Sequence, residues 1–167
     1  MTEKERQDLI TSLNQILADT AVLKQKVHAY HWTVRGLLFS QLHEFFMDIY
    51  EELEEAFDEI GEQVRILDED PALQLSEYAG RSVIDEADPD ANLSAVDMIQ
   101  TLHDDNERII TVLKKAEEIA NEADGAPDSQ GATAEAVLDF IVERHRQHDE
   151  YRYKLRSHIE QVNEQPT

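Results

Sequence analysis

Four long stretches of this chain place apolar side chains at alternating intervals of three and four, and none alternates with the period of two that a half-buried strand requires. The first expected helix runs from about Glu5 to Arg35 through Leu9, Leu13, Ile16, Leu17, Leu23, Val27 and Val34, with Gly36 as its stop. The second starts near Ser40, read as its N-cap, and carries Leu42, Phe45, Phe46, Ile49, Leu53, Phe57, Ile60, Val64 and Leu67 before Pro71 ends it. The third spans about Ser94 to Glu122 with Val96, Ile99, Leu102, Ile109, Leu113, Ala116 and Ala120 on one face, and the run EADGAPDSQGA breaks it. The fourth, about Thr133 to Val162, carries Val137, Ile141, Leu155, Ile159 and Val162. Residues 70–93 are too long for a simple turn and contain a short helical run, LSEYAGRSVI. The expected fold is therefore all-α, one domain over residues 1–167: a four-helix bundle with a short extra helix in the long crossover between the second and third helices.

Residues able to do chemistry concentrate between His28 and Glu62, which hold the only Trp, three of the seven His, and Asp58 and Glu62 one helical turn apart. His31 and His43 flank Gly36, so they belong to two helices that fold back on each other. Asp58 and Glu62 follow His43 by 15 and 19 residues, which puts them about 60° and 100° further around an ideal helix, on broadly one side. Along the axis, however, His43 and Asp58 are about 22 Å apart, far beyond one metal ion's ligand shell. One chain alone cannot close such a site. If the helix crosses an antiparallel copy of itself near Glu51 or Glu52, His43 of one chain comes beside Asp58 and Glu62 of the other, and the two-fold repeats this at the far end. The constellation predicts a dimer with a pair of shared sites.

The other candidates read more plainly. A di-iron centre inside one bundle needs Glu-x-x-His on two helices, and none of the seven His follows a Glu at that spacing. The mixed imidazole and carboxylate set suits iron, with Zn or Mn able to use the same donors. His28 reads as a surface or supporting residue. His145 and His148 form an H-x-x-H whose two donors make a weak Zn site, so they read as core or surface histidines. Trp32 reads first as a packing anchor.

The run H-W-T-V-R-G-L-L-F-S-Q-L-H followed by D-E-I-G-E resembles the signature of the Dps proteins (DNA-binding protein from starved cells), HWxVxGxxFxxLHxxxD followed by DxxAE. The likeness continues to LSEY at 75–78 and loosely to the last helix. Two positions depart: Gly61 stands where the family has Ala, and Met47 where many members have a metal-binding Asp. The resemblance implies a ferritin-like bundle, a homo-oligomeric shell of twelve subunits, and Fe(II) oxidation, preferentially by hydrogen peroxide, with storage of ferric mineral against oxidative stress. It implies His31 and His43 as ligands from one subunit, Asp58 and Glu62 as ligands from its mate, and Trp32 beside the metal as an interceptor of oxidising equivalents. The small crossover helix would pack at the dimer two-fold. By a looser alignment, Asp124, Asp128, Glu135 and Asp139 would line an acidic pore that admits iron.

Charge bears on partners. With 37 acidic against 15 basic residues the net charge is −22, which repels DNA phosphate and anionic membranes and attracts cations. The ends, MTEKERQD and EQVNEQPT, lack the basic tails through which DNA-binding relatives act, so direct DNA binding is not expected. The alternative left open is a DNA-compacting protein with little or no ferroxidase activity. There are no cysteines, which fits a reducing compartment, and the charged start and the lack of a long apolar run point to a cytoplasmic protein.

Overall fold

A computed structural model describes residues 1–123, 127 and 131–163, with 161–163 by backbone alone. The described residues form five helices: α1 (Glu3–Thr33), α2 (Phe39–Ile66), α3 (Leu75–Arg81), α4 (Ala95–Glu122) and α5 (Ala134–Asn163). There is no strand among the described residues, and no helix is long and apolar enough to cross a membrane. Helices α1 and α2 pair along their length, α4 and α5 form a second pair, and α1 packs on α4 to join them. The short α3 lies in the crossover and rests on α1.

Two long helices open with reciprocal caps. The Thr2 hydroxyl accepts from the Glu5 N–H at 3.3 Å while the Glu5 carboxylate accepts from the Thr2 N–H at 2.6 Å, and Ser94 with Asp97 repeats the exchange at 3.2 and 3.0 Å. The start of α2 differs from expectation. Ser40 lies inside its first turn, and Leu38 in the cap position makes no side-chain bond. Gly36 sets the start instead: its φ of +95° turns the chain sharply, and its carbonyl accepts from the Phe39 N–H at 3.1 Å. α1 stops at Thr33, short of Arg35, and α3 closes at Arg81, before Val83 and Ile84, because Ser82 turns to extended backbone.

The apolar residues read on the first helix are all buried, as are Leu42, Phe46, Ile49, Leu53, Ile60, Val64 and Leu67 around α2. The crossover is held by polar side chains of α1. Asp19, fully buried, accepts from the Ser82 hydroxyl at 2.9 Å and the Val83 N–H at 2.8 Å, and Asn14 accepts from the Ala72 N–H at 2.8 Å. Burial raises the Asp19 pKa, while these hydrogen bonds oppose the rise.

The middle of the bundle is polar. Lys26 of α1 donates to Asp105 of α4 at 2.6 Å with both side chains enclosed. Arg144 and Tyr151 of α5 both donate to the Glu52 carboxylate on α2. Asn106 of α4 donates to the His148 carbonyl at 2.9 Å, and the His148 Nδ1–H donates back to the Asn106 side-chain oxygen at 2.7 Å. A helix that slipped by one turn would separate such a pair and strand a buried charge or dipole, so these contacts set register.

His148 is fully enclosed. Burial, assisted by the positive charges of Arg144 and His145, pushes its pKa down to about 3. An unfolded histidine titrates near 6.5, so between about pH 6.5 and pH 3 the unfolded chain holds a proton that the folded chain refuses. Stability is therefore lost as pH falls through that window. Between pH 7 and pH 5 this one group should remove on the order of 2 kcal/mol. Urea titrations at the two pH values should show a smaller difference for His148→Gln than for the unaltered protein.

Candidate metal centre

The last turn of α1 and the second turn of α2 meet across the Gly36 turn, which places His31 and His43 against each other. His31 Nδ1 lies 2.6 Å from the His43 carbonyl oxygen, and His43 Nδ1 lies 2.9 Å from the His31 carbonyl oxygen. A carbonyl only accepts, so both Nδ1 atoms carry the proton and donate. The His31 carbonyl belongs to the end of α1, where no further turn supplies an N–H, and the His43 imidazole takes that role. In the neutral imidazoles this fixes the tautomer and leaves each Nε2 with a free lone pair, the state a metal ion binds.

The two imidazoles stack with centroids 3.7 Å apart and planes 19° apart. Each Nε2 lone pair lies in its own ring plane, and planes so nearly parallel do not meet within the about 2.1 Å of a metal–nitrogen bond. The pair thus offers one donor to each of two neighbouring ions rather than two donors to one. Phe39 stacks on the outer face of His43 at 4.9 Å, and Tyr50 meets His31 edge-on at 5.2 Å. His28 stacks on Tyr50 at 4.0 Å, so it belongs to this ring cluster; burial, with the nearby His31 and Lys24, lowers its pKa. Trp32 differs from the expected packing anchor. It is 62% exposed and touches His28 at 4.3 Å, because its side of the α1 terminus faces away from the bundle.

Asp58 and Glu62 lie exposed on α2, and among the described residues neither engages a hydrogen bond or ion pair. Glu52, tied to α5, fixes the rotation of α2: on an ideal helix His43 then falls about 180° from it, at the α1 seam, and Glu51, Asp58 and Glu62 fall on the solvent side. Within the chain, no three His, Asp or Glu side chains among the described residues are close enough to hold one ion. Met47 is half-buried one turn beyond His43, and Asp48 is exposed. Glu135 and Asp139 are exposed at the start of α5, whereas Asp124 and Asp128 lie outside the described residues. His145 bonds to Glu117 at 2.6 Å, and His148 serves the core.

The spacing of His31 and His43 about a glycine was enough to bring them together on paper. The carbonyl clamp, and the rings of Phe39 and Tyr50 against it, were not readable, because they depend on how two helices are rotated about their axes.

Comparison with known proteins gives a consistent picture. The ferritin-like domain family matches residues 10–164. The chain is 31% identical over 153 residues to DNA protection during starvation protein 2 of Bacillus anthracis, covering 92% of this chain and 97% of that one. It is 32% identical over 160 residues to an uncharacterized low temperature-induced protein of Nostoc, covering 96% of this chain and 84% of that one. Among solved structures, Dps from Bacillus brevis superposes with a TM-score of 0.85 at 27% identity, covering 95% and 99% of the two chains. Dps from Staphylococcus aureus gives 0.81 at 28%, covering 92% and 95%.

The clamp makes a stability prediction that needs no metal. His31→Ala removes the donor to the His43 carbonyl and the ring stacked on His43, and should cost about 1–2 kcal/mol. Asp58→Ala and Glu62→Ala should stay within about 0.5 kcal/mol of the unaltered protein. Urea denaturation of metal-free samples measures all three.

Proposed function

Because the chain belongs to the ferritin-like domain family, in its Dps branch, we propose that it is a mini-ferritin that binds Fe(II) at sites shared between subunits, oxidises it and stores the ferric product in a hollow homo-oligomeric shell of twelve copies. The observation that carries this reading is the clamp, which presents two Nε2 lone pairs at one end of α2 while Asp58 and Glu62, unpartnered among the described residues, stand about 22 and 28 Å away on the same helix. An antiparallel copy crossing at Glu51 brings the two half-sites together at both ends of the dimer. Glu51, rather than the inward-tied Glu52, faces the copy at that crossing.

Exposed apolar side chains support such a pairing. Leu37 and Phe39 at one end of α2, and Ile66 at the other, are exposed in the single chain, and the same crossing would bring a copy against them. In the completed site Asp58, Glu62 and His31 hold one ferrous ion, Glu62 bridges towards a second, and His43 holds that second ion with water. The hard carboxylates favour ferric over ferrous iron and so assist oxidation. Hydrogen peroxide is the proposed oxidant, because two ferrous ions held together supply the two electrons it needs. It takes one electron from each of the two ferrous ions, its O–O bond breaks, and two protons complete two waters, so no hydroxyl radical leaves the site. Trp32, exposed and 4.3 Å from the His28 ring, would in this reading give an electron to an oxidant that escapes. Glu135 and Asp139, exposed at the start of α5, belong in this reading to an acidic pore by which Fe(II) reaches the interior, since a ring of like charge concentrates cations; Asp124 and Asp128, expected in the same pore, lie outside the described residues. The net charge of −22 sets the surface against direct DNA binding.

Two measurements test the reading. His43→Ala and Asp58→Ala assemblies should each lose rapid Fe(II) oxidation by peroxide. Co-assembled from equal parts, they should regain roughly a quarter of the intact sites, since each site draws His43 from one chain and Asp58 from its mate. No recovery in verified mixed shells would rule the shared site out.

Met47 offers the second. A neutral thioether binds iron poorly, so the ion beside His43 should be the weaker of the pair, and Met47→Asp should tighten it and raise the initial rate. Calorimetric titration that found two equally tight ions in the unaltered protein would contradict this assignment.

A further inference from the structure

Six rings form one connected cluster along the α1–α2 seam: Phe39 stacks on His43 and His43 on His31, while His31, Tyr50 and His28 meet one another and Trp32 touches His28. The two imidazoles sit inside it. Each is fixed by one hydrogen bond, through Nδ1 to a backbone carbonyl. One hydrogen bond restrains a ring without locking its rotation about the Cβ–Cγ bond, and Nε2, on the far side of the ring, moves with that swing. The inner face of each imidazole is closed by the other at 3.7 Å. The outer face of His43 is closed by Phe39, whose plane lies 28° from it, and His31 is closed by the edge of Tyr50 at 73°.

We propose that Phe39 and Tyr50 are positioning residues, which hold the Nε2 atoms of His43 and His31 on fixed lines before any metal arrives. Phe39 in particular has no place in the core. It is 43% exposed, and its one ring contact is with His43. The contribution comes from the flat ring rather than from apolar volume, because a stacked or edge-on aromatic pair prefers a limited set of angles, whereas a branched aliphatic chain does not. A metal site tolerates little of the swing that would follow their loss, since a ligand displaced by about 1 Å no longer meets its ion at bonding distance.

The proposal rests on the metal-binding reading, and its test separates the two. Cobalt(II) is titrated into the assembled protein and followed by its visible absorption, with Phe39→Leu, Phe39→Tyr, Tyr50→Leu and Tyr50→Phe as variants, and crystals of each metal-free variant report the imidazole orientation. The leucine variants should bind cobalt roughly threefold to tenfold more weakly, the energy of one aromatic pair, while the aromatic variants keep the original affinity. In metal-free Phe39→Leu the His43 ring should leave the stack, and in Tyr50→Leu the His31 ring should tilt. Imidazoles that stay in place in both leucine variants, or aromatic variants as weak as the leucine ones, would overturn the positioning role. If the unaltered protein bound no cobalt and oxidised no iron, the proposed function would fall, and the metal-free ring orientations would still decide the role of Phe39 and Tyr50.

Discussion

An α-helix rises a fixed 1.5 Å or so per residue, and α2 is unbroken from Phe39 to Ile66. His43 near its start and Asp58 and Glu62 near its end are therefore held apart by a rigid rod, and no adjustment within the chain can bring them to one ion. The proposed centre rests on that separation: it takes the two groups as half-sites, each needing a second copy, and a dimer whose symmetry would complete both at once. Leu37 and Phe39 at the start of α2 and Ile66 at its end are left exposed in the single chain.

A rod must also be rotated correctly about its axis, and the bundle interior does this with polar locks rather than with packing alone. Leucine and isoleucine tolerate small rotations and slips, whereas the grip of Arg144 and Tyr151 on Glu52 does not. With Glu52 turned towards α5, His43 reaches α1 and the carboxylates reach solvent. Lys26 with Asp105, and Asn106 with His148, fix the neighbouring helices in the same layer. Enclosing His148 in neutral form makes the same layer sensitive to acid. Structural order at the centre of the bundle and ligand geometry at its edge are thus linked through one helix.

Helix periodicity was written plainly in the chain, because burying one stripe of each helix admits few arrangements. Leu9, Leu13, Leu17 and Val27 are buried where their spacing placed them. Errors fell at the ends. Ser40 had the right chemistry for a cap, yet the turn at Gly36 started α2 before it was reached. Trp32 had the size of a core residue but lies on the last turn of α1, on a side that no other helix covers. Interior polar residues such as Asp19 and Glu52 looked like ordinary members of an acidic chain, since a sequence does not show which carboxylate will find a partner.

What the sequence determined by itself was whatever depends on spacing along one helix: the four amphipathic rods, the long crossover, the pairing of His31 with His43 about Gly36, and the distance that keeps Asp58 and Glu62 from His43. Those are one-dimensional quantities, fixed once the helical rise and twist are known. Only the tertiary structure decided the rotation of each rod, and with it the carbonyl clamp that sets both imidazole tautomers, the ring cluster around them and the enclosure of His148. Rotation is the outcome of competition among side chains from several helices for the same interior space, and such a competition is settled only when all of them are packed together.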